Sequence, residues 1–264
     1  MKMFSNQPRK ILSRHQLIEV ICQLRFPEIL RIESQESAAF QEEIRMDYPQ
    51  YGKKIEQLPP QNVGGKLVPQ GTVNNYQFIS GDGRWKISLS KGFVALSTTG
   101  YTRWEEFARR LDRVLAAFIK TCQPAYFTRV GLRYVNAFNK EAIGLAETPW
   151  SELLAPGYLG LMADEDSPQE QAFFKCEQNV TAAMPGGAKG NIKCGPAVLR
   201  KTNSRTGQTQ EQRVCMLDLD VYFDGRTPLD HAVPALNVIH GNAGSLFRGA
   251  VREPLFAAMG PEEP

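Results

Sequence analysis

Histidine is scarce and cysteine comes in an odd number. The 264 residues include only His15, His231 and His240, with five cysteines at Cys22, Cys122, Cys176, Cys194 and Cys215. No Cys-x-x-Cys pair occurs among them, so neither a zinc ribbon nor a disulfide framework fits, and an imidazole-rich metal centre lacks its ligands. Long apolar runs are missing as well: nothing approaches the roughly 20 residues of a membrane span. The opening MKMFSNQPRKILSRHQ is positively charged but has no apolar stretch of signal-peptide length. The expectation is a reduced, cytoplasmic chain without a membrane role. Charge of one sign is also lacking, because 31 Lys and Arg against 28 Asp and Glu leave only +3. That surplus is too slight for a dedicated nucleic-acid binder, whose affinity comes from neutralising phosphates. Phosphate loops are absent too. Gly64 to Leu67 and Gly186 to Asn191 lack the Ser or Thr and the spacing of a P-loop, and no Gly-x-Gly-x-x-Gly follows an expected strand. Both stretches are expected to be hairpin connections.

What is present is a globular composition, 42% hydrophobic by the AVILMFWYC count, in a length that suits one large domain or two intimate halves. Leu17 to Phe26 predicts a strand, with Val20, Cys22, Leu24 and Phe26 opposite Glu19, Gln23 and Arg25, ended by Pro27. Ser34 to Tyr48 predicts a helix capped by Ser34 and stopped by Pro49, followed by a loop through Pro59, Pro60, Gly64 and Gly65. Tyr76 to Ser80 and Arg84 to Ser90 flank Gly81-Asp82-Gly83 as a hairpin, and Phe93 to Thr98 gives a third strand. Thr102 to Thr121 carries the clearest helical pattern. Thr102 and Glu105 read as a capping box, Trp104, Phe107, Leu111, Val114, Leu115 and Phe118 as the buried stripe, and Arg109, Arg110 and Arg113 as the polar face. Tyr101, Trp104 and Phe107 are therefore core residues rather than a pocket.

After Pro124 the order restarts. Strands are expected at Ala125 to Phe138, Phe173 to Met184, Gly190 to Lys201 and Arg213 to Phe223, with a short helix at Pro149 to Leu154. A last helix is capped by Thr227 with Pro228 in its first position. The reading is an N-terminal arm (1–16) and two similar strand-helix-three-strand-helix halves (17–123 and 124–264), supported by Leu24-Arg25-Phe26 against Leu132-Arg133-Tyr134. The fold class is α+β, an antiparallel or mixed sheet of about eight strands with helices on one face.

CQLRF (Cys22 to Phe26), Tyr101 with Trp104, FTRVGLRYVN (Phe127 to Asn136), LDLD (Leu217 to Asp220) and Ile239-His240 together resemble a sporadically distributed prokaryotic family of conserved hypothetical proteins. The GLRYxN core is the most specific part of the likeness, which spans nearly the whole chain apart from the MPGGAKGNIKCG stretch and the short tail after Met259. The resemblance implies a bacterial or archaeal protein, with no activity or cofactor attached. Sporadic distribution is compatible with mobile defence or toxin-neutralising systems.

The polar faces of the alternating strands carry the functional expectation. If the apolar faces pack under helices, the opposite face presents Gln23, Arg25, Lys86, Ser88, Arg129, Arg133, Asp218 and Asp220. Arg25, Arg129 and Arg133 can hold a carboxylate or phosphate in a bidentate fork, or instead pair with aspartates across strands. The reading is a non-enzymatic binding or regulatory protein that takes a protein partner or small anionic ligand, with no cofactor. An alternative is a metal-dependent nuclease or phosphoesterase in which Asp218 and Asp220 bind the cation and Arg129 or Arg133 steadies the phosphate. A second alternative is a nucleic-acid-binding module using Arg9, Lys10, Arg14 and the polar loop Arg200 to Arg213, which lacks stacking aromatics. His240, just before Gly241, reads as a helix C-terminal cap in preference to a general base. A homodimer across an exposed strand edge is a further expectation.

Overall fold

The computed structural model describes residues 3–34, 36–57, 61–68, 71–164, 173, 175–202 and 207–263. In chain order these form β1 (Ile11–Leu12), β2 (Leu17–Arg25), α1 (Glu36–Ile44), β3 (Gln50–Gln57), β4 (Gln61–Val63), β5 (Lys66–Val68), β6 (Thr72–Ile79), β7 (Trp85–Ser90) and β8 (Phe93–Thr98). There follow α2 (Trp104–Cys122), β9 (Phe127–Phe138), α3 (Trp150–Leu153), α4 (Pro156–Leu159), β10 (Gln178–Ala183), β11 (Lys189–Thr202), β12 (Thr209–Thr227), α5 (Ala232–Ala250), α6 (Glu253–Ala258) and β13 (Pro261–Glu262). The fold is mixed α+β, a large antiparallel sheet with helices packed against it. By compactness the chain divides into two units. The first comprises Met1–Glu19, Leu132–Phe223 and Leu236–Pro264, the second Val20–Gly131 and Asp224–Ala235.

In the second unit β2, β8, β7, β6 and β3 lie side by side in that order. Alternation puts Cys22, Leu96, Ile87 and Phe78 on one rung and Leu24, Val94, Leu89 and Tyr76 on the next. All eight are buried, each contributing about 1.5–3 kcal/mol where an aliphatic or aromatic side chain leaves water completely. The helices meet this face through aromatic rings, Phe118 lying 4.8 Å from Phe26 and Phe40 lying 5.6 Å from Phe78. Further along α2, Phe107 sits 5.8 Å from Trp85 and 6.0 Å from Trp104.

Several ends differ from the expectation. Ser34 closes a 3-10 turn, its Oγ donating to the Arg31 carbonyl at 3.1 Å, and α1 starts only at Glu36. No capping box forms on α2: Arg103 is the N-cap without a side-chain bond, and Thr102 donates to the Glu106 carboxylate at 2.7 Å instead. At the other end Gln123 takes a left-handed conformation, φ 48°, with its N–H bonded to the Ile119 carbonyl. The expected loop after Pro49 contains the strand β3, which QYGKKIEQ conceals because nearly every residue is exposed. Pro59 and Pro60 lie outside the described residues. Gly64 and Gly65 join β4 to β5 with φ of 59° and 83°, the positive pair a tight hairpin turn requires.

In the first unit the order is β10, β11, β12 and then residues 132–138 of β9. The strand expected over 173–184 begins at Gln178, with residue 174 outside the described set. Gly186 and Gly187 turn β10 into β11. β11 and β12 pair from Lys189 opposite Tyr222 out to Thr202 opposite Thr209; residues 203–206 of the expected polar loop lie outside the described residues. Thr227 ends β12 rather than capping a helix, and α5 begins at Ala232 after a 3-10 turn. It also runs through Gly241 and Gly244 to Ala250. Each interior glycine costs about 1 kcal/mol against alanine, which the burial of Ala243, Leu246 and Ala250 offsets. Short β1 and β13 pair antiparallel, Ile11 opposite Glu262, with an ion pair between Lys10 and Glu263 alongside.

Candidate functional site

In the first unit the inward faces of β9 and β12 are apolar. Leu132, Leu217, Leu219 and Val221 are all 1% exposed or less, so the residues between them must point to the other side of the sheet. Register then assembles two polar rungs. One runs Asn179, Lys193, Asp218, and the next runs Thr181, Asn191, Asp220. Arg133 extends the first rung. Its Nε donates to Asp218 Oδ1 at 2.7 Å and its Nη2 to Oδ2 at 2.6 Å, a two-pronged fork between groups 85 residues apart in sequence. Along the second rung Thr181 Oγ1 donates to Asn191 Oδ1 at 2.9 Å, and the Asn191 amide approaches Asp220 Oδ2 at 3.4 Å.

The arginine side chain is 46% exposed and the aspartate 14%, so the pair is ordered at the surface rather than entombed. The hydrogen bonds that Arg133 donates to Asp218 do most to raise its pKa above the ordinary range; burial opposes this, and the charges of Asp218, Asp220 and Glu19 add to it. At that exposure the pair adds about 1 kcal/mol or less to stability, since water screens it. Its main consequence is geometric: one cation and two carboxylates are held in fixed positions on one side of the strands.

His240 is placed elsewhere. Far from ending a helix, it sits inside α5, and its Nδ1 lies 2.8 Å from the hydroxyl of Tyr134. Tyr134 follows Arg133 in β9 and so faces the opposite side of the strand. The histidine therefore belongs to the helix-packed side, and the cap reading is replaced by a tyrosine-histidine hydrogen bond. Arg25 and Arg129 belong to the second unit. Arg25 Nε donates to Gln23 Oε1 at 3.0 Å. The Arg129 guanidinium lies across Gly131, where an added Cβ would come within 2.2 Å of Nη1. Lys86 and Ser88 face the same side of the second unit's sheet as Gln23, through the Gln23-Ala95-Ser88 rung and its neighbour.

Asp218 and Asp220 do share a side, as their spacing predicts. Both oxygens of Asp218 are engaged by the Arg133 guanidinium, and among the described residues no group of three or more His, Cys, Asp or Glu is placed to hold a metal ion. Toward the β11–β12 hairpin tip, a cavity of about 340 Å³ opens among Lys140, Trp150, Met162, Pro196, Arg213 and Val214. Its lysine is occupied locally, with Nζ 2.7 Å from the Thr148 carbonyl and 5.0 Å above the Trp150 ring.

Thr181, Asn191 and Lys193 escaped the sequence reading because alternation tells which side a residue takes but not which residue faces it across the ladder. No family model matches this chain, and no curated protein matches it either.

Proposed function

We propose that this is a non-enzymatic binding protein that presents the two polar rungs of its first unit to a protein partner of complementary, mixed charge. The Arg133–Asp218 fork carries the reading. It commits one edge of the guanidinium, Nε with Nη2, to Asp218 inside the protein, so a small anion would meet a cation already paired with a carboxylate at 2.6–2.7 Å. A protein surface bearing both signs can instead dock on the pattern as it stands, where fixed charges confer specificity and register. The same fork engages the oxygens that a nuclease would give to a cation, which favours binding over catalysis. We place the protein in the cytoplasm, in keeping with five cysteines of which none is joined in a disulfide among the described residues. The family resemblance supports a partner encoded nearby, in a defence or toxin-neutralising setting.

The test is co-expression with the neighbouring gene product, followed by affinity purification. Wild type should retain the partner and Arg133→Glu should lose it. The exchange of Arg133→Asp with Asp218→Arg rebuilds the ion pair with its polarity reversed. It should melt within a few degrees of wild type, since an exposed pair contributes little, and still lose the partner. Retention of the partner by both variants, or its absence from the wild-type eluate, refutes the proposal.

A further inference from the structure

We infer that the pocket between Tyr48 and the arginines of α2, in the second unit, is a binding site for a phosphate dianion, either free or as the terminal group of a small-molecule monoester. The site owes nothing to the first unit's polar rungs, so the two proposals stand or fall separately. Arg109, Arg110 and Arg113 lie within a single turn and a half of α2, and the chain leaving α1 brings Asp47 and Tyr48 against them. The five residues enclose a cavity of about 120 Å³, room for roughly four waters at their share of liquid volume, about 30 Å³ each. A tetrahedral oxyanion fits that space. Three guanidinium groups against one carboxylate leave a lining charge of 3 − 1 = +2, matched to a dianion.

The donors are only partly used. Arg113 reaches Asp47 at 3.9 Å, too far for a hydrogen bond. Among the described residues Arg109 forms no ion pair. Arg110 has its guanidinium 4.5 Å from the centre of the Trp85 ring and a carboxylate oxygen of Glu106 3.5 Å away. Its Nε is buried with no hydrogen-bond partner, a deficit that normally costs about 1–3 kcal/mol. Tyr48 is only 4% exposed. Burial raises its pKa more than the hydrogen bond and charge of Arg110 lower it, so the phenol remains a donor. Three arginines with one hydroxyl beside them offer more donors than the two oxygens of a carboxylate can use, and suit the oxygens of phosphate. The two exposed arginines, Arg109 and Arg113, are free to close over a bound ion.

The experiment is calorimetric titration of the full chain, paired with thermal melts, using inorganic phosphate, adenosine monophosphate and chloride at matched ionic strength. The expected result is one saturable site per chain for a phosphate species, with a melting temperature that climbs with its concentration and does not respond to chloride. Stronger binding of the monoester identifies an esterified ligand; stronger binding of inorganic phosphate identifies the free ion. Arg109→Gln and Arg113→Gln, both at exposed positions, should each weaken binding by about tenfold or more while leaving circular dichroism and the ligand-free melt unchanged. Absence of saturable heat with either phosphate species, a chloride shift equal to that of phosphate, or undiminished binding by both variants overturns the inference.

Discussion

Gly195, in β11, shows how much a single missing methyl group can matter. A Cβ there would stand 2.4 Å from the Cys176 carbonyl oxygen and 3.1 Å from the Glu177 Cα, main-chain atoms rather than the end of a flexible side chain. Gly195→Ala should therefore cost about 1–3 kcal/mol, measured as a lower denaturation midpoint at unchanged slope. Tyr158 gives a residue-scale expectation for pH. Burial pushes its phenol up to about 12, whereas in the unfolded chain it titrates near 10. Above pH 10 the unfolded state sheds this proton first, so stability falls by about 1.4 kcal/mol per pH unit between roughly pH 10 and 12. Tyr158→Phe should flatten that slope in alkaline denaturation curves, leaving the smaller contribution of Tyr48 and Tyr76, whose phenols are also raised by burial. Much at this scale was readable from the sequence. The sidedness of Asp218 and Asp220 follows from their spacing of two, and the arginine face of α2 from its period. Tyr48 was not, because its role depends on the angle at which the chain leaves α1, and no local pattern encodes that.

Among the elements, α2 carries an avoidable cost. Its C-terminal cap, Gln123, adopts φ 48°, a conformation that glycine takes without Cβ strain. Gln123→Gly should stabilise the protein by about 0.5–1 kcal/mol, the relief of strain exceeding the added freedom of the unfolded chain, and a thermal melt measures it. The legibility of elements follows their burial. β7 could be delimited almost to the residue because one face is dry and the sequence alternates accordingly, and β8, buried on both faces, because the Lys91-Gly92 turn marks its start. β3 could not, since an exposed strand needs no apolar residues, and β1 and β13 are too short to show a period. α5 misled for a related reason: glycine is a local stop signal, but Gly241 sits in a helix whose far half is held by tertiary packing around Leu246.

At the scale of the whole molecule, the order of strands and helices anticipated the α+β class, because long alternating and helical stretches dominate the chain. Which stretches gather into one compact unit was beyond such reading. That grouping depends on contacts such as Ile11 opposite Glu262 and Phe138 beside Phe247, set by pairings across more than a hundred positions. The two units differ in how they are cut from the chain: the second draws most of its substance from the single run Val20–Gly131, while the first needs three separate stretches, the last of them Leu236–Pro264. On a ribosome, this imposes a schedule. The continuous stretch can begin to organise while translation is under way, but β1, made before it, waits about 250 residues of further synthesis before its partner strand exists.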